Sequence, residues 1–104
     1  DVGSWSSLWE ISEKDDYGNS SSGDALLLDS RNCLVKTEDK LVATLGIDDL
    51  IIVSTKDAVM VAHKDRVQDI KHIIDRLKNE DRKDLFVYKV QTLRTVHHRI
   101  VINN

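Results

Sequence analysis

Short apolar segments separated by polar turns occupy residues 24–62 of the chain. Each segment has four or five residues, mostly aliphatic or β-branched, which is typical of β-strands. The turns are too short to contain crossover helices, so neighbouring strands must run antiparallel or the chain must coil around as a β-roll. No side-chain register recurs clearly enough to define a repeat. We therefore predict a small, mostly antiparallel sheet or a β-roll, with strands at 25–28, 33–36, 41–45, 50–54 and 58–62.

An amphipathic helix is predicted at residues 63–78. Its apolar residues recur at helical spacing and form one stripe, which we expect to pack on the sheet. Asp65, followed by Gln68 three residues later, resembles a capping box and places the start of the helix near residue 65. The stripe consists of Val67, Ile70, Ile73, Ile74 and Leu77.

A shorter helix is predicted at residues 4–13, with Ser4 as its N-cap. Trp5 and Trp9 are four residues apart and therefore share one face of this helix. Two interpretations of that face are open, namely packing in the core and stacking on a ligand. We favour core packing.

Residues 14–23 are polar and rich in residues that favour turns, so we predict a solvated loop. The acidic pair Asp15 and Asp16, close to Asn19, also suggests a calcium ligand set. However, the spacing lacks the twelve-residue pattern of a calcium-binding loop, and the solvated loop is the preferred interpretation.

Composition restricts the class of protein. A chain of 104 residues forms one domain at most. Its net charge of -3 comes from well-mixed acidic and basic residues, which argues against nucleic-acid binding. No apolar run is long enough to span a membrane as a helix, so no membrane association is expected. The single Cys33 cannot form an internal disulfide, and we expect a buried thiol in a reducing compartment.

The residues themselves predict no catalytic site. The glycines at positions 3, 18, 23 and 46 are scattered and form no phosphate-binding loop. The histidines at positions 63, 72, 97 and 98 share no metal-ligand spacing with Cys33. We therefore expect neither catalysis nor a cofactor in the isolated chain.

Four stretches of the chain carry a resemblance to a known family. They are DVGSWSSLWE at 1–10, LVATLG at 41–46, DLIIVSTKDAV at 49–59 and RVQDIK at 66–71. In order and spacing this set resembles the bacterial mannose-1-phosphate guanylyltransferases, the nucleotidyltransferases that make GDP-mannose. The resemblance covers residues 1 to about 78. Because the chain starts within the first stretch and without a methionine, we expect it to be the downstream piece of a longer protein.

The resemblance also implies roles for two residues in that longer parent. Asp1 would help to hold the catalytic magnesium, since a carboxylate suits a hard dication that bridges phosphates. Gly3 would bind substrate by letting the backbone approach the sugar closely. The upstream nucleotide-binding core would be the partner of this region, and the expected location is the cytoplasm.

The end of the chain departs from the family pattern. Bifunctional members continue through an Arg-Pro-Trp-Gly stretch into a phosphomannose isomerase domain, whereas here Arg94 is followed by Thr95 and Val96. This departure puts an isomerase role in doubt. We predict strand character at 85–90 and an exposed edge strand at 99–102, which would favour self-association.

Together these observations predict one α+β module. A helical turn and loop would occupy residues 1–23, strands 24–62, a helix 63–78 and a divergent tail 79–104. The module would be the C-terminal portion of a mannose-1-phosphate guanylyltransferase and would be inactive in isolation. The alternative is a non-catalytic structural or oligomerisation module.

Overall fold

The computed structural model describes residues 9–80, and short parallel strands dominate it. A four-stranded sheet has the order β1-β3-β5-β6, and a two-stranded sheet pairs β2 with β4. All of these pairs are parallel except β5–β6, which is antiparallel. The strands are β1 (Ser20–Ser22), β2 (Ala25–Leu28), β3 (Leu34–Thr37), β4 (Val42–Leu45), β5 (Leu50–Ser54) and β6 (Val59–His63).

The prediction of a mostly antiparallel sheet is only partly matched, because β5–β6 is antiparallel and the other strand pairs are parallel, whereas the coiled alternative agrees with the observed topology. Strands that follow each other in sequence do not pair with each other until β5 and β6. Instead the chain passes alternately into the two sheets, so each strand pairs with the next but one. A parallel pair therefore needs no crossover helix, because the intervening strand of the other sheet makes the connection.

The coil has a repeat that the sequence did not reveal. Ala25 pairs with Val42 and Leu34 with Ile51, so partners lie 17 positions apart in the β2–β4 and β3–β5 pairs, whereas in β1–β3 Ser20 pairs with Leu34, 14 positions away. The corners of the coil repeat at the same interval. Two matched pairs have left-handed backbone, namely Asp29 (φ 48°) with Gly46 (φ 67°), and Asn32 (φ 55°) with Asp49 (φ 61°). Asp, Asn and Gly are the residues that tolerate this conformation best.

Strand β1 lies within the segment predicted to be a solvated loop. Three serines have no apolar pattern to indicate a strand, yet Ser20–Ser22 pair in parallel with β3. The buried side chain of Asn19 explains why these serines lie beside β3. Its Nδ2 donates to the Ser30 carbonyl at 2.8 Å, and its Oδ1 accepts from the Cys33 amide at 2.9 Å. One amide side chain thus ties the first turn of the coil to the second.

The hydrophobic core lies between the four-stranded sheet and the C-terminal helical segment. It is formed by the fully or nearly fully buried side chains of Leu34, Ile51, Val53, Met60, Val67 and Ile70. Strand alternation directs Val35 and Ile52 to the opposite face of the sheet, where both are also buried. In β2 and β4 every second residue is at least partly buried, which indicates that the coil also has an interior side at these strands.

The predicted helix at residues 63–78 consists of two elements. A 3-10 helix spans Lys64–Asp69, and an α-helix, α1, spans Ile70–Asn79. The predicted capping box at Asp65 is wrong. His63 is the N-cap, and its Nδ1 accepts a hydrogen bond from the Asp65 amide at 3.0 Å.

Most of the predicted apolar stripe packs on the sheet. Val67 and Ile70 are buried, and Ile74 packs against the core at its edge. Ile73, however, is 39% exposed, so its place in the buried stripe was wrong. Ile73 lies in the same α-helix as Ile70, three residues further on, so it is about 60° away around the helix axis and falls at the edge of the stripe that faces the core.

The predicted N-terminal helix is only partly matched. Residues 9–11 are helical and Ser12 lies beyond the end of the helix, whereas Glu13 was the predicted end. The proposed cap Ser4 and the Trp5 indole lie outside the described residues. So do the strands predicted at 85–90 and 99–102.

Stability measurements can test which residues of α1 support the core. We expect Ile70→Ala to lower the free energy of unfolding by about 2–5 kcal/mol, because it leaves a cavity beside the sheet. Ile73→Ala should lower it by well under half as much, and Lys71→Ala on the exposed surface should change it little. Denaturant melts of the three variants provide the measurement. Equal losses for Ile70→Ala and Ile73→Ala would contradict the assigned face.

Candidate functional site

The two residues predicted to act in the parent enzyme, Asp1 and Gly3, lie outside the described residues. The described residue closest to them in sequence is Trp9. Its indole is half-buried and packs against the hydrophobic core. The core-packing interpretation of Trp9 is therefore confirmed, and this residue fixes the start of the described chain on the coil.

Two lysines approach the Trp9 ring. The Lys64 Nζ lies 3.2 Å from the ring centroid and the Lys14 Nζ lies 4.5 Å from it. A cation over an indole contributes about 0.5–1 kcal/mol at exposed sites and about 2 kcal/mol when desolvated. Lys14 also donates to the carbonyls of Trp9 (2.6 Å) and Ser12 (2.9 Å), so it caps the end of the short helix.

The Lys64 ammonium has an unusual environment. Partial burial lowers its pKa, the nearby carboxylate of Asp49 opposes this shift, and the like charge of Lys14 adds to it. The Lys64 backbone is anchored as well, because its amide donates to the Asp49 carbonyl at 2.8 Å. Lys64 therefore links a left-handed corner of the coil to the N-terminal indole. No pattern in the sequence pointed to this residue.

A small cleft opens beside this contact. It has a volume of about 170 Å³ and is lined by Trp9, Glu10, Ile51, Lys64 and Val67. A second cleft of about 250 Å³ lies on the other side of the coil and is lined by Tyr17, Leu27, Leu28, Asp29, Ser30 and Arg31. Both are below the roughly 300–1,000 Å³ typical of small-molecule pockets. Neither suits a nucleoside triphosphate.

The calcium alternative considered for the loop at 14–23 finds no support. The Asp15 Oδ1 accepts hydrogen bonds from the amides of Tyr17 and Asn19, both at 2.9 Å, which is the geometry of a turn. Within residues 9–80 no three His, Cys, Asp or Glu side chains are grouped so that they could hold a metal ion. Among the same residues no helix is long and apolar enough to cross a membrane.

The remaining sequence candidates are structural. Cys33 is completely buried, as predicted, and its Sγ donates to the Arg31 carbonyl at 3.3 Å. His63 caps the 3-10 helix, and His72 lies 3.5 Å from a carboxylate oxygen of Asp69. The histidines at 97 and 98 lie outside the described residues.

One charged side chain is buried in the four-stranded sheet. Lys36 is only 5% exposed and lies on the face of β3 that also carries the core residue Leu34. Burial lowers the pKa of Lys36 from 10.5 to about 8, because desolvation disfavours the ammonium. Because side chains alternate between the two faces of a strand, an apolar residue is expected at this position, on the same face as Leu34. Lys36 is an exception to that expectation.

Comparisons with a family model and with curated proteins point to the same group of proteins. Residues 23–77 match the family model described as the MannoseP isomerase/GMP-like beta-helix domain. The chain is 52% identical over 84 residues to the alginate biosynthesis protein AlgA of Pseudomonas aeruginosa, covering 81% of this chain and 18% of that protein. It is 51% identical over 84 residues to a mannose-1-phosphate guanylyltransferase of Klebsiella pneumoniae, with the same coverage.

A solved structure shows the same arrangement. The crystal structure named mannose-1-phosphate geranyltransferase from Thermus thermophilus superposes with a TM-score of 0.67 at 30% identity. The match covers 74% of this chain and 24% of that one. This chain thus spans about 18% of the length of the curated relatives it matches.

The buried lysine gives the fold a specific pH dependence. Since the folded-state pKa of Lys36 is lowered from 10.5 to about 8, the unfolded chain binds more protons between these values. The free energy of unfolding should therefore rise with pH across this window, by about 1–3 kcal/mol from this group. Lys36→Met should lose that rise. Urea melts at pH 7 and pH 10 measure it, with Lys71→Met as the exposed control. An identical pH dependence in Lys36→Met and the unaltered chain would contradict the assignment.

Proposed function

This chain belongs to the MannoseP isomerase/GMP-like beta-helix domain family, and on that premise we propose that it is the C-terminal part of a mannose-1-phosphate guanylyltransferase. The parent reaction is the attack of mannose 1-phosphate on the α-phosphorus of GTP, which gives GDP-mannose and pyrophosphate. The match of residues 23–77 to this family carries the proposal. The names of relatives that are about half identical to the chain support it.

The proposal assigns the nucleotide chemistry to the remainder of the parent. The two clefts described above, of about 170 and 250 Å³, are small for GTP, and the chain spans only about 18% of the length of its relatives. The proposed contribution of this chain is the segment that contains Asp1 and Gly3. The upstream nucleotide-binding core would be the partner of this chain, in the cytoplasm.

Magnesium fits the donor that this chain supplies. Mg²⁺ is usually held by one or two carboxylates together with waters and substrate phosphates, so a single aspartate is a sufficient protein contribution from one segment. Asp1 would be that ligand in the parent, and the bound ion would offset negative charge on the phosphates. Within residues 9–80 no group of three or more His, Cys, Asp or Glu side chains is arranged to hold a metal ion by itself.

Substitution of Asp1 tests the proposed function in a parent-length enzyme. We expect Asp1→Ala and Asp1→Asn both to reduce turnover by about 10²-fold or more, because the neutral amide lacks the charge that the cation requires. The melting temperature should hardly change. Turnover as a function of magnesium concentration is the measurement. Parental turnover and metal dependence in Asp1→Asn would show that Asp1 is not a ligand.

The isolated chain serves as the control for that experiment. It should show no saturable binding of GTP with magnesium in calorimetric titration, since the nucleotide site would lie upstream. A clear binding isotherm would place nucleotide recognition within the chain and overturn the assignment of roles.

A second candidate function, self-association, is supported by the outer face of the two-stranded sheet. Strands β2 and β4 contain no charged residue. Their outward side chains include Leu26, Leu28 and Leu45, which are 49%, 52% and 71% exposed. Leu28 and Leu45 are cross-strand partners, so these side chains form one continuous apolar surface. We call the surface formed by Leu26, Leu28, Ala43 and Leu45 the leucine face.

The position of the leucine face suits a separate molecule better than the upstream core. Trp9 and α1 both pack on the far side of the four-stranded sheet. The chain therefore enters and leaves the described region away from the leucine face. Contiguous exposed apolar patches often mark interaction sites, but a standard interface uses about 20–30 residues per partner and the leucine face has four. The isolated module should therefore associate weakly.

A charge placed on the leucine face should abolish that association. We expect the unaltered chain to show a concentration-dependent shift towards a dimer in sedimentation velocity, and Leu45→Glu to remain monomeric because two carboxylates would be buried together. Ile73→Glu, an equally charged change on α1, is the matched control and should behave as the unaltered chain does. A strictly monomeric unaltered chain over a wide concentration range would contradict self-association.

A further inference from the structure

The two sheets of the coil do not end at the same level. The interval of 17 residues between β2 and β4 places the next strand of the two-stranded sheet at residues 59–62. Those residues belong instead to β6, which pairs with β5 and becomes the last strand of the four-stranded sheet. Among residues 9–80, β4 therefore has a neighbouring strand on one side only. We call its other side the β4 edge.

The backbone of β4 presents hydrogen-bonding groups at this edge. The amides of Val42 and Gly46 donate towards β2, at 2.9 and 3.0 Å. Backbone groups alternate in direction along a strand, so the amides and carbonyls of Ala43 and Leu45 point away from β2. In the described part of the chain no other strand pairs with β4. An edge of this kind is a template for pairing with a further strand.

The burial of side chains ends at the same level. Ile52 of β5 is 8% exposed on the sheet face opposite the hydrophobic core, whereas its register partner Val61 on β6 is 55% exposed. Val59 lies on the same face as Val61 and is 57% exposed. These two valines occupy the positions that a further strand of the two-stranded sheet would cover.

We propose that the β4 edge binds one extended segment of another polypeptide, which adds a third strand to the two-stranded sheet. Main-chain hydrogen bonds to Ala43 and Leu45 would supply attachment, as in other complexes formed by strand addition. Alternate side chains of the segment would cover Val59 and Val61, so the segment must be apolar at those positions. The side chains between them would extend the leucine face.

The shape of this place favours a single strand over a second copy of the chain. Antiparallel pairing of β4 with β4 of a second copy would bring the two four-stranded sheets side by side. Each of these sheets extends past β4 by the strand β6, so the two extensions would collide. A lone extended segment meets no such obstacle. Self-association through the leucine face uses outward side chains and is a separate contact.

A synthetic peptide with the sequence of residues 40–46, KLVATLG, is the probe. It copies β4, which already meets the requirements for a strand of this sheet. We expect saturable binding of the labelled peptide to the 104-residue chain in fluorescence anisotropy, at a chain concentration that keeps the chain monomeric. The same peptide with methylated backbone nitrogens should not bind, because it cannot donate to the edge.

Two variants of the chain test the two halves of the contact. Ala43→Pro removes a donor that faces the edge and leaves the hydrogen bonds to β2 in place, and edge strands tolerate proline. Val61→Lys places a charge where the peptide would lie. Each should weaken peptide binding at least tenfold, whereas Ile73→Lys, the matched charge on α1, should bind as the unaltered chain does.

Hydrogen exchange supplies a readout that general stickiness would not change. In the free chain the amides of Ala43 and Leu45 should exchange faster than those of Val42 and Thr44, which face β2. Saturating peptide should slow exchange at Ala43 and Leu45 selectively.

Three results would overturn the inference. They are absence of saturable binding, undiminished binding by folded Ala43→Pro, and binding without added protection of Ala43 and Leu45. None of these measurements depends on guanylyltransferase activity, so the inference and the proposed function can fail separately.

Discussion

The left-handed corners of the coil are the constraint on which the rest of this structure depends. A strand can return to its own sheet after 17 residues only if the backbone turns sharply between the two sheets. Left-handed backbone costs an ordinary L-residue roughly 1–2 kcal/mol, and the cost is smaller for Asn and Asp and absent for Gly. Asp29 with Gly46, and Asn32 with Asp49, meet this requirement at equivalent corners.

The same corners position the contact between Lys64 and Trp9. Because Asp49 is held in register with the previous turn, its carbonyl is available to the Lys64 amide, and Lys64 in turn reaches the Trp9 indole. Hydrogen bonds in the interior of the coil also connect its turns. The Ser30 and Thr44 hydroxyls are 2.8 Å apart, and Asn19 bridges two further backbone groups. A small module with short strands thus gains its rigidity from polar contacts between turns as well as from one apolar core.

The sequence predicted the pieces of this fold better than their arrangement. The strand at 50–54 was predicted with its observed bounds, because its apolar run is short, rich in β-branched residues and bounded by turn residues. The lengths of the turns could not predict the strand directions. A short turn excludes a parallel pair only if the two strands it joins lie in the same sheet, and here most consecutive strands lie in different sheets. Ser20–Ser22 carry no apolar signal and owe their pairing to Asn19. Lys64 was missed because its importance comes from a partner 55 positions away, whereas Trp9 was recognised from local spacing alone.

Because Cys33 is completely buried, the reactivity of its thiol can be used to measure local opening of this module. The thiol sits at the start of β3, where the Asn19 side chain accepts from its amide and two corner carbonyls surround its sulfur. No reagent can reach a sulfur with 0% exposure unless the turns separate. The rate at which a thiol reagent labels the native protein therefore reports how often the coil opens at its second turn. A chain with one cysteine reports this motion without any engineered label.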